Sequence, residues 1–347
     1  MRILSVTAMR DEGPFVLEWL AWHRLLGVTD FLILTNDCRD GTDRLLDALA
    51  QEGVLTHLPN RPPEGKSIQW QALKTAWRHP ARKAADWMLF SDVDEFPMIH
   101  AGEHRFADLL AALPGETQAV AMAWRLFGAS GVVAFQDRPV TGQFLRSAPP
   151  EMLHPVGASY FKTLFRPEAF AQPGVHRPAR GKDQAAAAWV DGSGRPLPEA
   201  LAARDKRLSL LPLSDHRRLV ELHHYSLRSV QSFLVKADRG LANRRTKGID
   251  LHYWVERNFN TVENKAALAL AQPLAAEIAR LRTLPGVEAA HRAACDWHHA
   301  QARALLRQIE FYRLYCACLH ASNSAALPDR LAASLLALYQ DIDSTGA

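Results

Sequence analysis

Cysteine is scarce in this 347-residue chain: there are four, Cys38, Cys295, Cys316 and Cys318. They are too few and too clustered for a disulfide framework, so a reducing compartment and a cytoplasmic location are expected. Cys316 and Cys318 lie two apart in a helical pattern and point to different sides, which is poor zinc geometry. No apolar run approaches the length of a transmembrane helix. The opening stretch Arg2–Thr7, followed by Arg10-Asp11-Glu12, reads as a first strand and not as a secretory segment. Any membrane contact is therefore expected to be peripheral, at the inner face. An excess of one charge is also missing, since 41 Lys and Arg stand against 37 Asp and Glu. A formal charge of +4 permits an anionic ligand but does not argue for nucleic acid. The G-x-G-x-x-G fingerprint and the Walker phosphate loop are both absent, which counts against a dinucleotide-dependent dehydrogenase or a P-loop enzyme. No internal repeat is present.

What is present has an α/β rhythm. Arg2–Thr7 is strand-like, and Gly13-Pro14 opens a helix whose stripe is Val16, Trp19, Leu20, His23 and Leu26. A second strand follows at Phe31–Thr35, then a helix through Leu45, Leu46 and Leu49, then a short strand at Val54–His57. This β-α-β-α-β order is the opening half of a doubly wound nucleotide-binding sheet. Each strand ends in polar residues: Arg10-Asp11-Glu12 after the first, Asn36-Asp37 and Asp40 after the second. Carboxylates at such ends can hold a ribose hydroxyl or a base N–H, although Asp and Asn also cap helices there.

Ser67–Arg78 reads as a helix and Trp87–Phe90 as a buried strand running into Asp92-Val93-Asp94-Glu95-Phe96. In an extended segment Asp92 and Asp94 share a side. Two carboxylates at a strand end repel each other unless a cation lies between them, and hard oxygen donors suit Mg²⁺ or Mn²⁺. A solvated acidic turn would have the same sequence. Gln118–Trp124 is a further strand, leading to a glycine-rich turn where Trp124 offers a flat face for a sugar ring. Phe161–Arg166 also reads as a strand. Gly181–Pro212 is expected to be a surface excursion. Leu219–His224 precedes a helix with Ser226 as its N-cap, and the remainder is helical over Leu251–Val255, Ala266–Leu281, Ala289–Cys318 and Leu331–Tyr339.

Across residues 1–260, in order, these landmarks resemble the family 2 type glycosyltransferases with a GT-A fold, in particular a bacterial subgroup with an Asp-Val-Asp-Glu-Phe signature. The carrying residues include Arg10–Phe15, Asn36-Asp37, Asp92–Phe96, Phe127-Gly128, Lys162, His176-Arg177-Pro178, His224-Tyr225, Lys236 and Arg239-Gly240. Arg10-Asp11-Glu12 stands where the family more often has Lys-Asn-Glu.

The resemblance implies a GT-A-like doubly wound mixed sheet, with a nucleotide-binding half over about 1–100 and an acceptor half over about 101–260. A helical C-terminal extension would follow over 261–347. It implies a metal site of Asp92, Asp94 and His224 holding Mn²⁺ or Mg²⁺, and a nucleotide-sugar site of Asp11, Glu12, Asn36, Asp37, Asp92, Trp124 and Lys236. A UDP-sugar is the favoured donor and a glycan or glycolipid hydroxyl the acceptor, in surface polysaccharide biosynthesis. Cations would stabilise the leaving diphosphate, Lys162, Arg177 and Lys236 first among them. Inverting transfer needs a carboxylate base, for which Glu95, Asp215 and Glu221 stand open. The alternatives are a non-catalytic nucleotide- or glycan-binding module on the same scaffold, and a nucleotidyltransferase.

Overall fold

The computed structural model describes residues 1–61, 67–181, 184–203, 210–240 and 249–345. Strand β1 (Ile3–Met9), helix α1 (Gly13–Leu25), β2 (Asp30–Thr35), α2 (Thr42–Gln51) and β3 (Thr56–Pro59) form the expected opening unit, with the three strands parallel. Helices α3 (Ile68–Arg78) and α4 (Pro80–Ala84) then deliver the chain to β4 (Trp87–Phe90), parallel to β1 on its other side. Ser67 caps α3 as expected, its Oγ accepting from the Trp70 N–H at 3.3 Å.

Next come β5 (Glu95–Ile99), α5 (Phe106–Ala111), β6 (Ala119–Leu126), α6 (Val140–Gln143), β7 (Arg146–Ser147), β8 (Phe161–Phe165), β9 (Trp189–Asp191), α7 (Glu199–Ala202) and β10 (Val220–His224). The main sheet runs β3-β2-β1-β4-β8-β6-β10-β5, with β8 antiparallel to both neighbours and β5 antiparallel to β10. One edge of β6 is shared: β9 pairs along Ala119–Ala121 and β10 along Trp124–Leu126. The doubly wound mixed sheet is thus present. Two elements differ from expectation. Glu95–Ile99 is a strand despite Pro97, which is tolerated because β5 lies at the sheet edge. The described part of 181–212 is more than a surface excursion, because β9 enters the sheet beside β6; residues 182–183 and 204–209 of that stretch lie outside the described residues.

The period of two sorts each strand between two apolar layers. Phe31 and Ile33 of β2, and Trp87 and Leu89 of β4, face one core. Leu32 and Leu34, Met88 and Phe90 face the other. On β6, Val120, Met122 and Leu126 go to the first layer, while Ala119, Ala121 and Ala123 go to the second. Each large side chain so buried stabilises the fold by roughly 1.5–3 kcal/mol before entropy is counted.

After β10 come α8 (Val230–Arg239), α9 (Leu251–Val255) and β11 (Val262–Glu263), which pairs with β7, then α10 (Ala271–Arg282), α11 (Val287–Leu305), α12 (Ile309–His320) and α13 (Asp329–Thr345). The N-cap of α8 is Ser229, not Ser226, and its Oγ accepts from the Ser232 N–H at 3.1 Å. The long helix expected over Ala289–Cys318 is two helices, α11 and α12. Helices α10 and α11 are not an appendage, because Leu274, Leu281, Val287 and Cys295 join the same core as Trp19 and Leu20 of α1. At the closest approach of α11 to the α1 N-terminus, a Cβ on Gly13 would lie 2.5 Å from Ala294 Cβ. Helix α1 is therefore buried from Gly13 to His23, covered by the sheet on one side and these helices on the other. No helix among the described residues is long and apolar enough to cross a membrane.

Candidate active site

An open cleft, with about 1050 Å³ of space between its walls, lies beyond the C-terminal ends of β1, β2, β4, β6 and β10. Ligands of open α/β sheets bind in this position. Each strand end contributes to it: Arg10 and Glu12 after β1, Asn36 after β2, Asp92 and Asp94 after β4, Trp124 on β6, and His224 at the end of β10. Helix α8 adds Lys236 and Arg239, three apart and so on one face.

The acidic segment is a turn and not an extended strand, since the Glu95 N–H donates to the Asp92 carbonyl at 3.0 Å. Its carboxylates therefore diverge. The Asp92 Oδ2 accepts from Lys162 Nζ at 2.9 Å, whereas Asp94 Oδ2 accepts from Lys236 Nζ at 2.8 Å. Antiparallel pairing of β10 with β5 sets His224 opposite Glu95, and this puts His224 Nε2 at 3.7 Å from Asp94 Oδ1. Burial alone would raise the Asp94 carboxyl, but the Lys236 and Arg228 charges hold it well below the usual carboxylate range. Burial holds His224 down to about 3, against the pull of Asp94, so its imidazole is neutral.

Glu95 turns the other way. It is fully buried and is not part of the cleft wall. Its oxygens accept from Trp124 Nε1 at 2.9 Å and from the Asp92 N–H at 2.8 Å, with Lys162 Nζ 3.3 Å away. Burial raises its carboxyl and the Lys162 charge opposes that rise. All three neighbours are donors, so the site is built to hold a carboxylate. Glu95 accordingly positions the turn and has no path to an acceptor hydroxyl. Asp215 is exposed among Arg195 and Arg218, and Glu221 is buried against His223; neither lines the cleft. None of the three carboxylates open as a base therefore reaches it.

Glu12 is clamped by two arginines, Arg228 at 2.8 Å and Arg239. Burial would raise its carboxyl, but the two guanidinium charges hold it low. Arg228 adopts a left-handed backbone (φ 58°) and spreads over the Phe15 ring, 3.5 Å from its centroid. Of the other expected nucleoside contacts, Asn36 lines the cleft, Asp37 is exposed outside it, and Asp11 turns away to bond Arg39 through both oxygens at 2.6 and 2.8 Å. Asp40 is a brace, accepting from Thr42 N–H and Gly13 N–H, each at 2.8 Å.

Arg10 differs from every other cation here. It lines the cleft half-buried, and although its carbonyl accepts from Arg239, its guanidinium makes no hydrogen bond or ion pair among the described residues. Burial and the nearby Arg239 lower its pKa, and the more distant Asp11 and Asp37 only partly offset them. The strand-end rule applied to Asp11 and Glu12 would have found it. Tyr253 and Gln69, also on the wall, gave no sequence signal.

Two expected cations are not at the cleft wall. The Arg177 guanidinium donates to the Leu201 and Ala202 carbonyls at 2.9 and 3.1 Å and stacks on Trp189, so it ties down α7. Lys162 is buried behind Asp92 and lines only a small adjoining cavity. Trp124 reaches the cleft with its rim alone, being 8% exposed, because His224 packs on its ring with centroids 4.1 Å apart.

The ligand-type atoms of Asp92, Asp94 and His224 do not all converge within 4.8 Å; among the described residues that holds for Asp137, His291 and Cys295. There, however, Arg282 Nη2 already sits 2.8 Å from Asp137 and 2.7 Å from His291, so a cation occupies the seat. In the cleft the pair Asp94–His224 does fit a divalent ion. With Asp94 Oδ2 held by Lys236, Oδ1 and the neutral Nε2 face each other at 3.7 Å, beyond hydrogen-bond length. Two donors of one cation, each at ~2.1 Å, stand about 3 to 4 Å apart, and one or two protein ligands suffice when substrate phosphates complete the shell.

The profile of glycosyltransferase family 92 matches residues 5–185, just over half of the chain. A family 92 protein of Oryza sativa subsp. japonica is 28% identical over 168 residues, which are 47% of this chain and 26% of that protein. One from Arabidopsis thaliana is 27% identical over 186 residues, 47% of this chain and 28% of that protein. The chain thus spans about a quarter of the length of these relatives. Among solved structures, S. aureus TarS (residues 1–349) aligns over 93% of this chain and 89% of its own, at 12% identity and a TM-score of 0.35. The match agrees with the resemblance read from the sequence at the level of a glycosyltransferase, and the family it names is 92 rather than 2. By that match across strands β1 to β8 and the acidic turn, the chain belongs to glycosyltransferase family 92.

Proposed function

We propose that the chain transfers a sugar from a nucleotide-sugar donor, with a UDP-sugar favoured, to a hydroxyl of a glycan or glycolipid, and that the transfer depends on a divalent metal. The observation that carries this reading is Arg10. Glu12, Asp92, Asp94 and Glu95 all have basic partners, and Arg10 is the cation left over, in the cleft, at a strand end. A diphosphate supplies the missing anion.

In this reading Asp94 and His224 hold Mn²⁺ or Mg²⁺, which when bound supplies Lewis-acid charge to the departing diphosphate. Arg10, Lys236 and Arg239 surround the same space, and Lys236 and Arg239 are fixed by Asp94 and Glu12 before any ligand arrives. Such fixed charges need no reorganisation as negative charge develops on the leaving group. Asn36 offers an amide to the nucleoside.

Donor hydrolysis and binding over UDP-, GDP-, CMP- and dTDP-sugars, with and without Mn²⁺, test the proposal. At least one donor should turn over, and Asp94→Asn should lose about 100-fold or more of that activity while folding normally. Metal-independent turnover, or full activity in D94N, would overturn it. Binding without turnover across the panel would make the chain a binding module.

A further inference from the structure

The walls of the cleft are unlike one another. Arg10, Lys236, Arg239, Asp94 and Glu12 bring charge, whereas Val175, His176 and the rim of Trp124, whose ring lies 5.5 Å from that of His176, bring uncharged groups beside the mutually matched Asp92 and Lys162. His176 is held there from three directions. Its Nδ1 lies 2.9 Å from the Phe161 carbonyl, which can only accept, so Nδ1 carries the proton. The hydroxyl of Thr163 donates to the His176 carbonyl at 2.6 Å. The turn before it is closed so tightly that a Cβ on Gly174 would lie 1.8 Å from the Arg177 carbonyl oxygen, and Arg177 itself is anchored on Leu201 and Ala202.

This fixes the chemistry of the remaining ring atom. With Nδ1 protonated and the ring neutral, Nε2 presents a lone pair, and it makes no hydrogen bond among the described residues. Burial and the nearby Lys162 keep the ring from taking a second proton, so His176, one of the cations the sequence offered to the diphosphate, brings no charge to it. An acceptor among these uncharged, partly aromatic groups repels a phosphate oxygen and selects an uncharged O–H donor.

We infer that Nε2 of His176 accepts a hydrogen bond from a hydroxyl of the sugar being transferred, making His176 a specificity residue. This rests on the nucleotide-sugar reading above, and the test separates the two. Calorimetry with Mn²⁺ compares UDP, UDP-glucose and UDP-galactose on the wild-type chain, His176→Phe and His176→Gln. The Phe variant keeps the ring packing and loses the acceptor, whereas Gln restores an acceptor oxygen. For H176F, UDP affinity should stay within about twofold and the preferred UDP-sugar should weaken by about tenfold, with partial recovery in H176Q. Equal weakening of UDP and UDP-sugar would mean that His176 reads the nucleoside, and no weakening of either that it reads nothing; each overturns the inference while leaving the donor reading intact. If the wild-type chain binds neither UDP nor the UDP-sugars, both readings fall together.

Discussion

Two lysine–carboxylate systems meet at the turn after β4, and they differ in depth. Lys236 and Asp94 lie on the cleft wall, with side chains 13% and 11% exposed. Lys162 and Glu95 lie behind it, at 1% and 0%. Adjacent residues, Asp94 and Glu95, thus face different tasks. A charge pair at a wall can exchange partners with a ligand, because water and substrate reach it. The rear pair is sealed at Glu95 and reaches the wall only through Asp92, which accepts from Lys162 at 2.9 Å, and its worth lies in never leaving a buried charge unmatched. The difference assigns the front pair to binding and the rear pair to holding the turn.

The sharpest test of that division is Lys162→Met. Removing the ammonium takes away the charge that opposes the raised Glu95 pKa, so this buried carboxyl must take up a proton or stand unmatched beside Trp124 Nε1 and the Asp92 N–H, and Asp92 loses its lysine as well. Urea denaturation should show a loss of about 3–5 kcal/mol, and adding Glu95→Gln should recover a large part of it. Lys236→Met should cost much less stability while abolishing nucleotide binding. Equal destabilisation by both would erase the distinction.

A smaller effect is expected at Arg10, which belongs to the front system but whose guanidinium bonds no protein group among the described residues. Arg10→Gln should leave stability unchanged or slightly raised, since it relieves repulsion from Arg239. UDP affinity in Mn²⁺, measured by calorimetry, should fall by about tenfold, as for one lost charge-assisted contact. A drop in stability without a change in affinity would show that Arg10 has a structural partner in solution.

How much of this could be read in advance follows from the same contrast of depth. Strands β1, β2, β4 and β6 were legible as short apolar, β-branched or aromatic runs bounded by polar and turn residues, the mark of strands buried on both faces. Asp94, Glu12 and Asn36 were placed at the cleft by the strand-end rule together with the family resemblance, and Lys236 by the resemblance alone. Arg177 and Lys162 were not separable from surface cations, because sequence does not say which side of a loop faces the interior. The Asp92–Asp94 spacing misled for a definite reason: the period of two holds only in extended chain, and a turn hydrogen bond to Asp92 sends the two carboxylates to different lysines. Strand β9 was hidden by its setting in a stretch rich in Ala, Gly and Pro, and its three residues are defined as a strand by their pairing with β6.

Acid pH offers the subtlest separation of front from rear. His23 in α1 is fully buried, donates from Nδ1 to the Trp19 carbonyl at 2.8 Å, and leaves Nε2 without a partner. Burial holds it down to about 4, and holds His216 and His298 down to about 3. The unfolded chain binds protons on these rings below about pH 6.5 and the folded chain does not. Stability contributed by the neutral rings is therefore present above pH 6.5 and lost as pH falls toward 4. Asp94 behaves oppositely in range: its depressed pKa keeps its ion pair intact through that window, and the stability it lends is lost only below the ordinary carboxylate pKa. Between pH 6.5 and 4 the core should weaken while the cleft charges stay fixed. Replacing His23 with Leu should remove about 1.4 kcal/mol per pH unit from the slope of unfolding free energy in that window and leave the slope below pH 4 unchanged. A slope unaltered by H23L would mean that His23 is already protonated in the fold, with its charge matched by a partner at Nε2.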